Sequence, residues 1–125
     1  MADRIAIVGS RHFPRPELVE AFVVSLAPGT VVVSGGAQGV DNAAERAARA
    51  CGLEVIIFHA DWKTHGRQAG PMRNADIVAH ADRVVAFWDG RSQGTLNTIV
   101  QALGANLPVE IFDSDGHPVL VDNVT

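Results

Sequence analysis

Five short apolar runs separated by helix-like segments are the feature that most restricts the fold of this 125-residue sequence. The runs are rich in Val, Ile and Phe and do not alternate with polar residues, a pattern typical of strands buried on both faces of a sheet. We therefore expect parallel strands of one α/β sheet. The predicted strands cover residues 5–8, 31–33, 55–58, 84–87 and 109–112.

The segments between these runs carry apolar residues at helical spacing. In the second segment the small apolar residues fall on one side, and Glu45, Arg46 and Arg49 fall on the other, which predicts a helix lying close to a sheet. Strands alternating with helices indicate parallel pairing with right-handed crossovers. The predicted helices cover residues 17–26, 40–51, 72–81 and 95–103.

The predicted fold is a Rossmann-like three-layer α/β sandwich with a mainly parallel sheet of about five strands. After the fifth run, turn residues around Asp115 and Gly116 precede a short apolar run at residues 119–121. This pattern predicts a short antiparallel edge strand near the C-terminus.

Length and composition favour one domain spanning residues 1–125, because two separate cores would each be too small. No apolar run approaches the roughly 20 residues of a membrane helix, and the first residues lack a signal-peptide pattern. We therefore expect a cytoplasmic protein without a membrane partner. The single cysteine, Cys51, excludes an internal disulfide, and its helical spacing from Ala44 and Ala48 predicts a buried core position.

The distribution of charge favours a small anionic ligand over a broad nucleic-acid surface. The formal net charge of −4 argues against general binding to phosphate backbones. Several cations nevertheless fall in or beside the loops that follow strands, which predicts a basic rim on an acidic body. These cations are Arg11, Arg15, Lys63, Arg67, Arg73 and Arg91.

The most informative loop lies in "VVVSGGAQGVD", where Ser34, Gly35, Gly36 and Gly39 lead from a strand into a helix. Unpaired amides at a helix start favour an anion, so the loop fits a phosphate cradle, and it fits a tight glycine-rich crossover equally well. The loop matches neither the Walker pattern nor GxGxxG. Asp41 is interpreted either as a first-turn carboxylate that stabilises the helix or as an acceptor for ligand hydroxyls such as those of ribose.

Two further loops have a similar character and are expected at the same sheet edge, because ligands of such sheets bind outside the carboxyl ends of the strands. The first strand is followed by a glycine, a hydroxyl and a guanidinium, and the fourth by "SQGT", which opens a helix with small hydroxyl residues. Together the loops predict a nucleotide-sized anion site. The residues concerned are Gly9, Ser10, Arg11, Ser92, Gly94 and Thr95.

The third connection, "HADWKTHGRQAGPMRN", is predicted to be a long functional loop that ends at a helix start after Pro71. Trp62 is interpreted either as a stacking surface for a nucleobase or as a cover for the core. Lys63 or Arg67 is a candidate phosphate contact, and Arg73 with Asn74 points to the same edge. The histidines show no metal-ligand spacing, so we expect no metal and no cofactor.

The joint pattern "IVGSR", "VVVSGGAQGVDNAAERAARACG", "FHADWKTHGRQAGPMRN" and "VVAFWDGRSQGT" resembles the SLOG superfamily. That group includes the DNA-processing protein A domain and the Lonely Guy enzymes, and this chain is most similar to its small single-domain YspA-like branch. The resemblance implies a nucleotide site across these loops and pairing of copies into a homodimer. The implied site residues are Gly9, Ser10, Arg11, Ser34, Gly35, Gly36, Gly39, Asp41, Arg73, Asn74, Ser92, Gly94 and Thr95.

One departure from the Lonely Guy pattern bears on catalysis. Thr98 stands where the resemblance implies a catalytic glutamate, and a hydroxyl cannot offset oxocarbenium-like charge as a carboxylate does. The leading hypothesis is therefore a sensor or accessory factor that binds a nucleoside phosphate or an ADP-ribose-like molecule. The alternative is a hydrolase or transferase of N-glycosidic bonds in which Asp41, Asp61 or Asp89 supplies the carboxylate. Binding of single-stranded DNA is a third, less favoured hypothesis.

Overall fold

The computed structural model describes residues 3–123 and contains one six-stranded sheet. The strands are β1 (Arg4–Gly9), β2 (Val31–Ser34), β3 (Glu54–Ile57), β4 (Arg83–Phe87), β5 (Val109–Phe112) and β6 (Pro118–Val119). Their order in the sheet is β3-β2-β1-β4-β5-β6, with parallel pairing everywhere except between β5 and β6. This arrangement confirms the predicted mainly parallel sheet with an antiparallel C-terminal edge strand.

Helices cover both faces of the sheet and complete the three layers. The helices are α1 (Pro16–Val24), α2 (Val40–Ala50), α3 (Trp62–His65), α4 (Ala69–Ala79) and α5 (Gln93–Gly104), with 3-10 turns at Gly66–Gln68 and Val121–Asn123. None of the helices in residues 3–123 has the length and apolar character needed to cross a membrane.

Neighbouring residues of each central strand enter opposite core layers. In β1, Ile7 packs in the layer under α1 and α2, whereas Ala6 and Val8 pack in the layer under α4 and α5. Both layers exclude water, so every position along these strands must be apolar. This is the physical reason for the unbroken apolar runs in the sequence.

The strand order reverses between β1 and β4, because β2 and β3 extend the sheet to one side and β5 and β6 to the other. At this point Gly9 is paired in register with Phe87, and the Ser10 amide donates to the Phe87 carbonyl over 3.1 Å. The carboxyl ends of β1 and β4 therefore frame the crevice in which such sheets bind ligands.

Four local expectations differ from the structure. The third connection is not an open loop: Asp61 caps α3 by accepting from the Thr64 amide over 3.2 Å, and α4 begins at Ala69. The edge strand lies at Pro118–Val119, slightly before its predicted position. Cys51 is exposed because it follows the last turn of α2, whereas Glu45, expected on the solvent side of that helix, is buried.

Candidate functional site

A cavity of about 160 Å³ opens at the reversal point of the sheet. Its floor is the end of β1, and its walls are the starts of α2 and α5 together with one face of α4. Thus the loops after β1, β2 and β4 meet at one place, as the sequence predicted. The lining residues are Val8, Gly9, Arg11, Ala37, Gln38, Asp41, Arg73, Asn74, Ile77, Ser92, Gly94, Thr95 and Thr98.

The start of α2 requires glycine and has no side-chain cap. Gly39, the residue before the helix, has a φ of +83°, and a Cβ there would collide with the backbone carbonyl of Arg11. The amides in the first turn of any helix have no acceptor within that helix, and at α2 no side chain caps them either. The positive end of the α2 dipole therefore faces this part of the cavity without a compensating cap.

Asp41, in the first turn of α2, is buried and fastens the preceding loop. Its Oδ2 accepts hydrogen bonds from the amides of Gly35 and Ala37, over 3.2 and 3.3 Å. Burial raises the pKa of Asp41 to about 7, although the amide of Ala37 and the charge of Arg73 oppose this rise. Part of the Asp41 population therefore carries a proton near neutral pH.

Arg73, on α4, holds the same loop from the other side. Its Nη1 donates to the Gly35 carbonyl over 2.7 Å, and its Nε donates to Asn74 Oδ1 over 2.9 Å. A Cβ at Gly35 would lie 2.7 Å from Arg73 Nη1 and 2.9 Å from Asp41 Oδ2. Gly35 thus allows a cation and a carboxyl group to approach each other at the cavity wall.

Ser34 and Gly36 lie behind this wall. Ser34 Oγ donates to Glu45 Oε2 over 2.6 Å, and both side chains are buried, so this pair ties the end of β2 to α2. At Gly36 a Cβ would lie 2.8 Å from the His59 ring, which leaves no room for a side chain. Both residues shape the loop, and neither lines the cavity.

The first turn of α5 has one side-chain cap, which satisfies the Thr95 amide. Ser92 Oγ accepts from the Thr95 amide over 3.3 Å and lies 2.9 Å from Thr95 Oγ1. Thr98 Oγ1 and Asn74 Nδ2 both donate to the Gly94 carbonyl, each over 3.3 Å. The Asn74 contact joins α4 to α5, and the contacts within α5 fix the hydroxyl groups that face the cavity.

Asp89 precedes α5 and organises the β4–α5 loop from outside the cavity. Its Oδ1 accepts from the amides of Arg91 and Ser92, over 2.8 and 2.9 Å, and its own amide donates to Ser10 Oγ over 3.0 Å. Burial alone would raise the pKa of Asp89, but these hydrogen bonds outweigh it and lower the pKa. Ser10 is therefore engaged with the loop and does not line the cavity.

The predicted site residues fall into two groups. Those that line the cavity are Gly9, Arg11, Asp41, Arg73, Asn74, Ser92, Gly94 and Thr95. Those that do not are Ser10, Ser34, Gly35, Gly36, Gly39, Trp62 and Arg67. Trp62 is 59% exposed and stands against Gly70, one helical turn before Arg73, while Arg67 is exposed on the neighbouring 3-10 turn.

Five residues line the cavity that are not among the predicted site residues: Val8, Ala37, Gln38, Ile77 and Thr98. Helical spacing carried a signal for two of them, since Ile77 follows Asn74 by three residues and Thr98 follows Thr95 by three. The position at which the resemblance implied a catalytic carboxylate therefore does line the cavity, as a hydroxyl.

A second polar cluster lies in the turn after β5. Asp113, Asp115 and His117 each place one side-chain atom of a type that can bind a metal ion within 4.8 Å of the other two. Asp113 Oδ1 accepts from the amides of Asp115 and His117, both over 2.9 Å, and the His117 amide contributes most to lowering the pKa of Asp113. The carboxylate of Asp113 thus closes a turn between β5 and β6.

Comparisons with known proteins agree with this architecture. The sequence model of the YspA, cpYpsA-related SLOG family matches residues 3–65. The Gene 61 protein of Mycobacterium phage D29 is 41% identical over 119 residues, which cover 87% of this chain and 95% of that protein.

Two solved structures of DNA processing protein A have the same fold. The protein from Streptococcus pneumoniae gives a TM-score of 0.78 at 23% identity, covering 89% of this chain and 50% of that chain. The protein from Helicobacter pylori, described for its single-stranded DNA binding mode, gives a TM-score of 0.71 at 21% identity, covering 97% of this chain and 70% of that chain. This chain thus spans half the length of the Streptococcus protein.

Proposed function

The chain belongs to the YspA, cpYpsA-related SLOG family, and on that premise we propose that its cavity binds a nucleotide or nucleotide derivative. A nucleoside phosphate and an ADP-ribose-like molecule are the two forms considered. The protein would act as a sensor or accessory factor, in the cytoplasm and as a homodimer.

One observation carries the proposal: two helix starts and two arginines border the same cavity. The starts of α2 and α5 each favour an anion by about 0.3–1 kcal/mol at an exposed site, and more in a partly buried one. Arg73 is half-buried and fixed by hydrogen bonds, whereas Arg11 is exposed and free to turn toward a ligand. A phosphate group would meet positive potential on several sides.

The size of the cavity indicates which part of the ligand enters. At about 160 Å³ it is smaller than the roughly 300–1,000 Å³ of sites that enclose a whole small molecule. We therefore propose that a phosphate and its sugar occupy the cavity while the base extends outward. The exposed Trp62 ring stands against Gly70, which lies one helical turn before Arg73 on α4, so a base that extends outward could stack on this ring.

Calorimetry with AMP, ADP, NAD and ADP-ribose tests the proposal. We expect binding by at least one of them, with Arg11→Ala weakening it about tenfold or more, as for the loss of a charge-assisted contact. Arg46→Ala removes the same charge from an exposed position farther along α2 and should leave affinity unchanged. A dissociation constant above about 1 mM for every nucleotide would overturn the proposal.

An N-glycosidic hydrolase or transferase is the alternative, and Asp41 is the observation in its favour. Of the three candidate acids, Asp41 lines the cavity, whereas Asp61 caps α3 and Asp89 organises its own loop. A carboxyl group with a pKa of about 7 can transfer a proton near neutral pH. Chromatographic detection of free base after incubation with nucleotides supports this alternative, and the absence of turnover in the whole panel removes it.

Single-stranded DNA binding is a further candidate, supported by the fold shared with the Helicobacter protein. The net charge of −4 weighs against it. Mobility shifts with an oligonucleotide, at low and raised salt, decide this question, because contacts to a phosphate backbone weaken steeply with salt. Sedimentation in the same buffers measures whether the protein is a homodimer.

A further inference from the structure

The two carboxyl oxygens of Asp41 have different surroundings. Oδ2 accepts from the amides of Gly35 and Ala37. Oδ1 accepts no hydrogen bond from any residue between 3 and 123. In that part of the chain every fully buried side-chain oxygen has a hydrogen-bond partner, so Oδ1 cannot be fully buried. Since Asp41 is 5% exposed and lines the cavity, its Oδ1 opens into the cavity.

The charged groups around Asp41 come from several elements. Arg73 faces it from α4 across Gly35, and Arg11 borders the same cavity from the β1–α1 connection. Glu45 lies one turn later on α2, and His59 packs behind Gly36. The α5 wall contributes uncharged hydroxyl groups. An ionised Asp41 would therefore place a negative charge inside the region where the arginines attract a phosphate.

We propose that Asp41 binds the ligand as a neutral acid, with its Oδ1–H donating a hydrogen bond to a phosphate oxygen. This inference rests on the proposed function. An ionised carboxylate repels a phosphate, whereas a protonated one acts as a donor whose other oxygen is already held by two amides. When the ligand meets an ionised Asp41, one proton from solvent is taken up on Oδ1 as the phosphate enters, and it returns to solvent when the ligand leaves.

The buried position of the group supports this proton balance. Because burial raises the pKa of Asp41 to about 7, the proton is readily available near neutral pH, and a bound anion raises this pKa further. By linkage, affinity must then decrease as pH rises. The opposite role, an ionised Asp41 accepting from a ribose hydroxyl, requires no proton uptake and gives an affinity that increases or stays constant with pH.

Calorimetry of AMP and ADP-ribose binding at pH 8, in buffers with different ionisation enthalpies, counts the protons. This pH lies above the pKa of Asp41, so most of its carboxyl groups are ionised and uptake should approach about one proton per ligand. The ligands themselves contribute little to this proton count, because ADP-ribose carries no phosphate that titrates near neutrality and the second ionisation of AMP lies near pH 6. Affinity should decrease up to about tenfold between pH 8 and pH 9.

Two variants locate the proton. Asp41→Asn keeps an oxygen for the Gly35 and Ala37 amides, so it should bind without proton uptake and with constant affinity between pH 7 and pH 9. Asp76→Asn removes an exposed acid from α4 and should retain the uptake. A merely structural role for Asp41 would change affinity equally at every pH.

The outcomes are distinct. Uptake that is present in the unmodified protein and in Asp76→Asn but lost in Asp41→Asn supports the inference. Binding without uptake, binding with proton release, or uptake that persists in Asp41→Asn overturns it while the proposed function stands. If neither nucleotide binds the unmodified protein, both proposals fail. The measurement on the unmodified protein decides the sign of the linkage even where Asp41→Asn does not fold.

Discussion

The starts of α2 and α5 border one cavity but satisfy their backbone groups in different ways. At α5 the Ser92 hydroxyl accepts from the Thr95 amide, so a side chain already occupies part of the helix terminus. At α2 no side chain caps the first turn, and Gly39 brings the loop against the backbone of Arg11. The difference indicates that α2 leaves every amide of its first turn available to a ligand, whereas at α5 the Thr95 amide is already bound to a side chain.

The aspartates beside the two helix starts also differ, in the direction in which their pKa is shifted. Asp89, before α5, has a lowered pKa because amide hydrogen bonds outweigh its burial. Asp41, within α2, has a raised pKa because its burial outweighs its amide bonds and the charge of Arg73. Burial and hydrogen bonding therefore favour the ionised form of the aspartate at one helix and the protonated form at the other.

Adding a methyl group at each helix start should separate the two starts most strongly. Gly39→Ala places an alanine at a position with a positive φ and brings its methyl group into collision with the Arg11 carbonyl. Together these two effects should destabilise the fold by about 3–6 kcal/mol. Gly94→Ala adds its methyl group in open space within the first turn of α5 and should stabilise the protein by up to about 1 kcal/mol. Urea denaturation measures both, and equal effects would show that the two starts do not differ as described.

The next effect depends on pH. The pKa of Asp41 is about 7 in the folded protein and 3.8 for an ordinary aspartate. At a pH between about 4 and 7 unfolding therefore releases the proton of Asp41, so the stability of the fold decreases as pH rises through this range. Asp41→Asn should therefore be more stable than the unmodified protein by about 2–4 kcal/mol at pH 8, and the gain should shrink toward pH 4. Thermal denaturation of both proteins from pH 4 to pH 8 tests the sign. A gain that does not vary with pH would contradict the raised pKa.

A smaller effect is expected from deleting the cap at α5. Ser92→Ala removes the acceptor of the Thr95 amide and should cost about 1 kcal/mol of stability. Gln93→Ala, at the neighbouring exposed position, is the matched control and should change stability by less than about 0.5 kcal/mol. If Ser92→Ala were also neutral, the α5 start would be as open as that of α2.

Much of the fold could be predicted from sequence because both faces of its central strands are buried, which leaves a continuous apolar signal at Ile5 to Val8. The carboxyl-end loops were predicted for a related reason, since parallel strands bring their ends to one edge. The helix α3 was missed because four residues with a glycine directly after them carry no helical periodicity. Single-domain organisation, the cytoplasmic location and the homodimer stay predictions.

Side-chain direction could not be predicted from sequence. Ser34 has the residue type of a ligand contact, yet its hydroxyl donates to Glu45, a partner eleven positions away that helical periodicity places toward solvent. Ser10 similarly accepts from the Asp89 amide, which lies in the loop after the neighbouring strand β4. These pairings depend on which loops meet in three dimensions. The sequence identified the residues of the region but not which of their polar atoms remain free.

If the start of α2 holds the ligand anion, the chemical shifts of its backbone amides must change on binding. In a titration of the isotope-labelled protein with AMP, the largest shifts should occur at the amides of residues 37–42, with smaller ones at residues 92–95. Arg11→Ala should reduce both sets together. If the amides of residues 37–42 do not shift at saturating AMP, with or without shifts around Trp62, the start of α2 does not hold the anion.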